Sequence, residues 1–378
     1  MRTFGGRKPK SVLAFGLAAG GSLAIAACGT GSTVTGSATT AGPASKAVSG
    51  SATGTVPVDV GGGTIVHLKK GALKIAILMN DTSNQWEQDV AKAAQQTAAK
   101  YGWSSSVFDP KFDTQTQLNQ IQNIATNHTF DAVVAVPVNG ALECNALSKT
   151  LAQANVLTSI GATPLCNTSS ASGNGLWVPG TLNWVGGTGV TTPFITSYLN
   201  AGAQANPGPQ NVAFVAGPEN ISVTQLQQSI VKTWQPQHPD FKIQNFVFTD
   251  FTTPTAYQDT LAYLRAHPNT SVIMSSYSPD LTRGVVEAVA ALGLTGKIKI
   301  DDSGGSTYSY QELLAGAIQW TTPLFPIETG EYMVSSIKAA QDGQAPQRYI
   351  SDIPPQLGSA SNIPILTKAN MSKFKPEF

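Results

Sequence analysis

The chain has 378 residues, of which only 12% are charged against about 25% in an average soluble domain, and its formal net charge is +1. With no basic stripe to meet a phosphate backbone, nucleic-acid binding has nothing to rest on. His67, His128, His238 and His267 are scattered with no two at metal-ligand spacing, which argues against a zinc site or a histidine-based catalytic centre, and no metal or cofactor is expected.

At the amino terminus Arg2, Arg7, Lys8 and Lys10 precede an apolar run over residues 11–27. A basic stretch, a short apolar stretch and small residues before a cleavage point make an export signal. The run is just short of a reliable bilayer span, which leaves a membrane anchor as the other reading. Ile25-Ala26-Ala27-Cys28 resembles a bacterial lipobox. On that reading residues 1–27 are a signal peptide, the Cys28 thiol carries a diacylglycerol, and the mature protein works outside the cytoplasm on a lipid anchor. From residue 29 to 71 glycine, serine, threonine, alanine and valine dominate, with Lys46 and Asp59 the only charges before His67. Such a composition cannot offset its ordering entropy, so residues 28–71 are expected to be a disordered tether, with a reach of about 35 to 40 Å.

The remaining residues, 72–378, are enough for two ordinary domains. Leu73, Ile75, Ile77 and Met79 mark a buried strand, ended by the turn-formers Asn80, Asp81, Thr82, Ser83 and Asn84. A helix follows, with Val90, Ala94, Thr97 and Tyr101 on one face. The unit repeats through an extended piece at 105–108, a helix carrying Leu118, Ile121 and Ile124, strands at 131–136 and 156–160, and a helix at 142–154 between them. After a glycine- and tryptophan-rich passage at 173–189 the rhythm restarts. It gives helices near 192–203 and around Val223, Tyr257 and Leu281, and strands at 211–216, 243–248, 271–274 and 297–301. Strands alternating with helices predict parallel sheets covered on both faces, hence two doubly wound α/β lobes. The facing carboxyl ends of their strands would form a ligand cleft.

Cys144 and Cys166 are the only thiols besides Cys28 in a chain read as exported. They are expected to form a disulfide, the alternative being two separate buried thiols. Closing a 22-residue loop would contribute roughly 3 kcal/mol.

The order of these segments resembles a known family. Lys74-Ile75-Ala76-Ile77 is followed by Ser83-Asn84-Gln85-Trp86, then by Gln117-Leu118-Asn119-Gln120-Ile121, and by Asp131-Ala132-Val133-Val134 before Pro137-Val138-Asn139. Further along stand Ala266-His267-Pro268 before Val272-Ile273, Gly284 with Ala288 and Leu292-Gly293, Ile300-Asp301-Asp302, and Pro326 with Gly330. Together these are similar to the type I periplasmic sugar-binding proteins of ABC importers, the group that includes ribose-binding protein. The match covers residues 72–355.

The resemblance implies a three-segment hinge, with crossings near 179–183, 322–326 and 351–355. The lobes would then be 72–181 plus 325–353 and 182–324 plus 354–378. In the family's first loop an asparagine and aromatic residues grip a sugar, and Asn84 and Trp86 match them, the other reading being a loop asparagine and a packing tryptophan. The family's charged anchors are mostly absent: Asn139-Gly140-Ala141, Ile160-Gly161-Ala162, Val223-Thr224 and Ser278-Pro279 stand where acidic residues, arginines and an asparagine-aspartate pair are usual. Only Asp302 remains, with a strand-capping role as its alternative. The expected ligand set is therefore Trp86, Trp184, Tyr277 and Phe325 with Asp81, Asn84, Asn139, Asn183, Asn220 and Asp302. It fits a neutral ligand with a flat or apolar face, such as a deoxy or methylated sugar, a nucleoside, a polyol or an aromatic metabolite.

Gly186-Gly187-Thr188-Gly189-Val190-Thr191 lacks the lysine and spacing of a P-loop and is read as a helix start near the hinge. Asp81 and Asp302 could converge as a carboxylate pair on closure, but most acids lie on predicted helices, so no enzyme is expected. The resemblance implies an ABC permease as partner and a monomer in solution. A sensor that presents its closed form to a membrane receptor is the alternative.

Overall fold

The computed structural model describes residues 54–378, so Cys28, the signal peptide and most of the expected tether lie outside the described residues. Residues 54–71, assigned from composition to the tether, are a correction. They form an antiparallel hairpin of β1 (Thr55–Asp59) and β2 (Ile65–Lys69) in which Thr55 pairs with Lys69. The two strands alternate in exposure, so one face, with Val58, Val66 and Leu68, is buried while the other meets water.

Side chains and backbone from elsewhere hold the hairpin. Asn155 Nδ2 donates to the His67 carbonyl at 3.0 Å, and the His67 amide donates back to Asn155 Oδ1 at 2.7 Å. The Gly180 amide donates to the Val60 carbonyl at 2.7 Å and Arg348 Nη2 to that of Asp59 at 3.0 Å. Asn155 and Gly180 both precede strands of the first lobe, so the hairpin closes the amino end of that lobe, away from the cleft.

The first lobe contains β3 (Lys74–Leu78), α1 (Gln85–Lys100), β4 (Ser104–Phe108), α2 (Thr114–Asn127) and β5 (Ala132–Ala135). A π-turn at Ala146–Thr150 runs into the short α3 (Leu151–Gln153), followed by β6 (Leu157–Gly161) and β7 (Asn183–Val185). The second lobe contains α4 (Thr192–Ala205), β8 (Gln210–Ala216), α5 (Ser222–Trp234), β9 (Phe241–Phe248) and α6 (Thr253–Ala266). It continues with β10 (Val272–Ser275), α7 (Pro279–Ala291), β11 (Lys299–Gly304), α8 (Thr307–Ala315) and β12 (Trp320–Pro323). The chain then returns to the first lobe with α9 (Pro326–Gln341) and β13 (Tyr349–Ile350).

The first sheet has the strand order β13-β7-β6-β5-β3-β4 and the second β12-β11-β10-β8-β9, with every pair parallel. Central strands such as β5 and β10 are buried along their whole length, as a sheet covered on both faces requires. Because β7 pairs with β6 in the first sheet, the first crossing falls after Val185, later than the expected 179–183. The reason is local: Trp184 is 1% exposed and stacks on Tyr349 of β13 with ring centroids 5.8 Å apart, so the segment completes the first core.

Helices α1 and α9 pack closely across that core. A Cβ on Gly330 would lie 2.4 Å from the Val90 carbonyl oxygen, so a glycine is required there. Cys144 and Cys166 form a disulfide with Cα atoms 5.0 Å apart. It braces two strand-end loops of the first lobe, where the Cys166 amide also donates to the Gly140 carbonyl at 2.9 Å. No described helix is long and apolar enough to cross a membrane.

If the hairpin is part of the first core, Leu68→Ala should destabilise the protein by about 2 to 5 kcal/mol. A shift of the urea midpoint tests this, and an unchanged midpoint would return residues 54–71 to the tether.

Candidate functional site

The carboxyl ends of the two sheets face each other, and a cavity lies between them with about 490 Å³ of atom-free space including its opening to solvent. One wall is aliphatic, from Val136, Pro137, Val138 and Val190 on the first lobe and crossing and Ile221 and Val223 on the second. Three aromatic residues complete it: Trp86 at the start of α1, Phe251 after β9 and Tyr277 after β10. The polar lining is Asn80, Glu87, Thr163 and Thr188, and among the described residues no lysine, arginine or histidine takes part.

The aromatics are held by unusual backbone. Phe251 and Tyr277 sit at φ of 64° and 66°, a region that side-chain-bearing residues enter at a cost and that recurs at binding sites. Phe251 has room only because position 217 is glycine, since a Cβ there would lie 2.0 Å from its ring. Phe112, after β4, meets Phe251 across the cleft with centroids 5.7 Å apart.

On the first lobe Gln117 fixes two strand ends at once. Its Nε2 donates to the Met79 carbonyl at 2.7 Å and the Val136 carbonyl at 3.2 Å, and its Oε1 accepts from the Val138 amide at 2.8 Å. Asn84 caps α1, accepting from the Glu87 amide at 3.4 Å. That cap aims Trp86 and Glu87, in the first turn, at the cavity. Trp86 Nε1, Asn84 Nδ2 and Glu87 Oε2 are buried without a hydrogen-bond partner among the described residues.

Glu87 is the group that sequence reading missed. Only Asn80 Nδ2 approaches its Oε1, at 3.4 Å, and burial, reinforced by the nearby Asp81 charge, pushes the carboxyl up to about 8. At neutral pH it is mostly a neutral acid, able to donate as well as accept.

The expected ligand residues divide. Trp86 and Tyr277 line the cavity. Asn84 and Asp81 lie in the loop beneath it, with Asp81 Oδ1 accepting from the Ser83 amide at 2.5 Å and its carboxyl raised by burial. Asn139 lies at the rim, where its Nδ2 reaches Gln225 Oε1 of the other lobe at 3.5 Å.

The remaining expectations are corrected. Asn183 is buried in β7, accepting from Ser159 Oγ at 2.7 Å, and Trp184 fills the first core. Phe325 is 1% exposed, packed edge-on to Phe374. Asn220 is an exposed turn residue. Asp302 is buried inside the second sheet, where Thr282, Thr321 and Ser309 donate to it, the last at 2.7 Å. None of these five lines the cavity. Among the described residues no three acidic, histidine or cysteine side chains are grouped to hold a metal.

The crossings between lobes meet at one carboxylate. Asp352, just after β13, accepts from the Thr188 amide and hydroxyl, each at 3.0 Å, and from the Thr329 hydroxyl at 3.1 Å. Thr188 is on the first crossing and Thr329 opens α9 after the second, so three chain segments share one buried acceptor. The glycines of 186–189 let them pack: a Cβ on Gly189 would lie 2.3 Å from the Ala162 carbonyl oxygen. The lobes also touch directly. The Gln85 amide donates to Asp280 Oδ2 at 2.8 Å, and the Ser222 amide donates to the Val138 carbonyl at 3.1 Å.

Two parallel doubly wound lobes, joined by three crossings around an aromatic cavity, define a two-lobed solute-binding fold. The chain belongs to the periplasmic binding protein domain family, which it matches over residues 75–345, more than half its length. This is a family of binding proteins, not of enzymes.

Solved structures share the fold. A solute-binding protein from Bacillus halodurans C-125 with bound myo-inositol is 14% identical, with a TM-score of 0.64 over 81% of this chain and 98% of that one. A solute-binding protein from Agrobacterium vitis with bound D-fucose is 16% identical, with a TM-score of 0.65 over 79% and 97%. A periplasmic ribose ABC transporter structure from Conexibacter woesei is 18% identical, with a TM-score of 0.57 over 83% and 96%. No curated protein matches the chain.

Burial pushes the Asp352 carboxyl up to about 6, so between about pH 4 and 6 the folded state holds a proton that the unfolded state has released. Its contribution to stability therefore falls as pH rises through that window. Asp352→Asn should remove this slope from the melting temperature measured against pH. Asp352→Ala, which leaves the Thr188 donors without their acceptor, should cost about 2 to 4 kcal/mol. A slope unchanged in the asparagine variant would show that Asp352 does not titrate there.

Proposed function

We propose that the chain is an extracytoplasmic substrate-binding protein of an ABC importer. It would capture a small neutral sugar or sugar-like solute between its lobes and close by rotation about the three crossings. The observation that carries this reading is the cavity at the facing strand ends, apolar and aromatic on most sides, with a few convergent polar groups from the first lobe and the first crossing. Indole and phenol faces stack on the C–H faces of a sugar ring, while Asn80, Thr163 and Thr188 can meet its hydroxyls. The absence of any cationic side chain from the lining favours a neutral ligand over an acidic one. Structures of the same fold hold myo-inositol and D-fucose, which are neutral polyhydroxylated molecules.

In this reading Cys28 carries the lipid, residues 29–53 are the leash, and the closed monomer is what the permease binds. Lobe closure is the signal such proteins offer, and Asp352 is the pivot about which it would turn.

A panel of sugars, polyols and nucleosides should contain a compound that raises the melting temperature, because a ligand that binds only the folded state stabilises it. Trp86→Ala should weaken that compound by about 1 to 3 kcal/mol in calorimetry. Full affinity in the alanine variant would remove Trp86 from the site, and silence across the panel from a folded protein would contradict the sugar reading.

A further inference from the structure

We propose that the Glu87 carboxyl is the group that pairs with a ligand hydroxyl, and that the ligand turns a hydroxyl-free edge to Phe251 and Tyr277. The substrate class is then a 6-deoxy or O-methyl sugar, or an O-methyl polyol, in preference to its fully hydroxylated parent. This deepens the sugar-binding reading and rests on it.

Geometry carries the inference. Glu87 lines the cavity at 6% exposure, yet its one hydrogen bond is a long one, from Asn80 Nδ2 to Oε1 at 3.4 Å; its own backbone amide and the Asn84 side chain lie nearby, but Oε2 makes no hydrogen bond among the described residues. Beside it Trp86, 9% exposed, presents an indole N–H that also lacks an acceptor. A buried carboxyl and a buried indole N–H each cost free energy when unpaired. A ligand hydroxyl, both donor and acceptor, can satisfy either one. Asn80, Thr163 and Thr188 can meet hydroxyls on their own side, but the aliphatic wall and the faces of Phe251 and Tyr277 would strand one, whereas a methyl group is accommodated there at no such cost.

The charged surroundings set the pH behaviour. The titratable groups near Glu87 are Asp81 from its own loop, then Asp109 after β4 and Asp250 after β9, both of which act on Asp81, and the Tyr277 phenol across the cavity. All are acidic, so none holds Glu87 ionised. With its carboxyl pushed up to about 8, chiefly by burial, Glu87 serves neutral ligands below that pH and loses its donor above it.

The test is calorimetry on the full chain and on Glu87→Gln and Glu87→Ala variants. The probes are D-galactose with D-fucose, L-mannose with L-rhamnose, and myo-inositol with its mono-O-methyl ethers, with choline as a cationic control. The expected result is tighter binding of one deoxy or methylated member by roughly tenfold or more over its parent. Its affinity should fall by roughly tenfold or more between pH 6.5 and 9.5. Glu87→Gln, which still donates and accepts, should bind within about threefold of wild type and lose the pH dependence, while Glu87→Ala should lose roughly 10- to 100-fold. Equal affinity for both members of every pair, full binding by Glu87→Ala, or choline binding that strengthens as pH rises would overturn the inference and leave a sugar or solute site standing. Failure of every sugar and polyol to bind the folded chain would overturn the sugar reading and this inference with it.

Discussion

Everything that makes this molecule a two-lobed receptor depends on one buried carboxylate. A chain that leaves a lobe and returns to it must cross at several places, and those crossings need a shared anchor if the lobes are to move as bodies. Asp352 provides it by accepting hydrogen bonds from the first crossing and from the helix that follows the second, while itself standing on the third. A buried carboxylate is costly unless every partner is present, so this geometry tolerates little variation in the residues that meet it. The glycines at 187 and 189 follow from that: their missing side chains let Thr188 and Ala162 come close enough to hold the joint.

Away from the hinge, the site is a product of strand ends held still. Gln117 ties the ends of β3 and β5, and the Cys144–Cys166 disulfide ties the loops after β5 and β6. On the second lobe the positive-φ conformations of Phe251 and Tyr277 aim two rings at the cavity, at a backbone cost that the surrounding packing offsets. Rigid walls of this kind make the cavity selective through what they cannot pair. An apolar surface rejects a stray hydroxyl, and an unpaired carboxyl or indole N–H rejects a ligand that lacks one. The cavity offers a small set of polar groups, Asn80, Glu87, Thr163 and Thr188, around three aromatic rings.

The alternation of strands and helices, the two lobes and the second and third crossings were legible because parallel α/β units write long apolar strands and amphipathic helices into a sequence. Trp86 and Tyr277 were legible as aromatics at strand ends. Trp184 and Phe325 were not distinguishable from them, because a large apolar residue beside a hinge looks the same whether it faces the cleft or the core, and here both fill cores. Asp302 misled for a related reason: its three hydroxyl partners come from distant segments, so its burial in the second sheet has no local signature. Glu87 carries no signal of its own, because an acid in the first turn of a helix is favoured there whether or not it faces a cavity. Its cavity-facing position follows from the Asn84 cap, which sets the rotation of α1. The β1–β2 hairpin did have a signal, since Val58, Val66 and Leu68 alternate around three glycines, but the low charge of the longer segment outweighed it.

The account's central claim is that a sugar-class ligand is held between the lobes by loops from both. Hydrogen exchange measured with and without a bound sugar tests it most directly. The predicted result is new protection at the strand-end loops around residues 80–87, 136–139 and 188–190 of the first lobe and hinge, and around 249–251 and 276–278 of the second, with the β1–β2 hairpin unchanged. Protection confined to one lobe would contradict it.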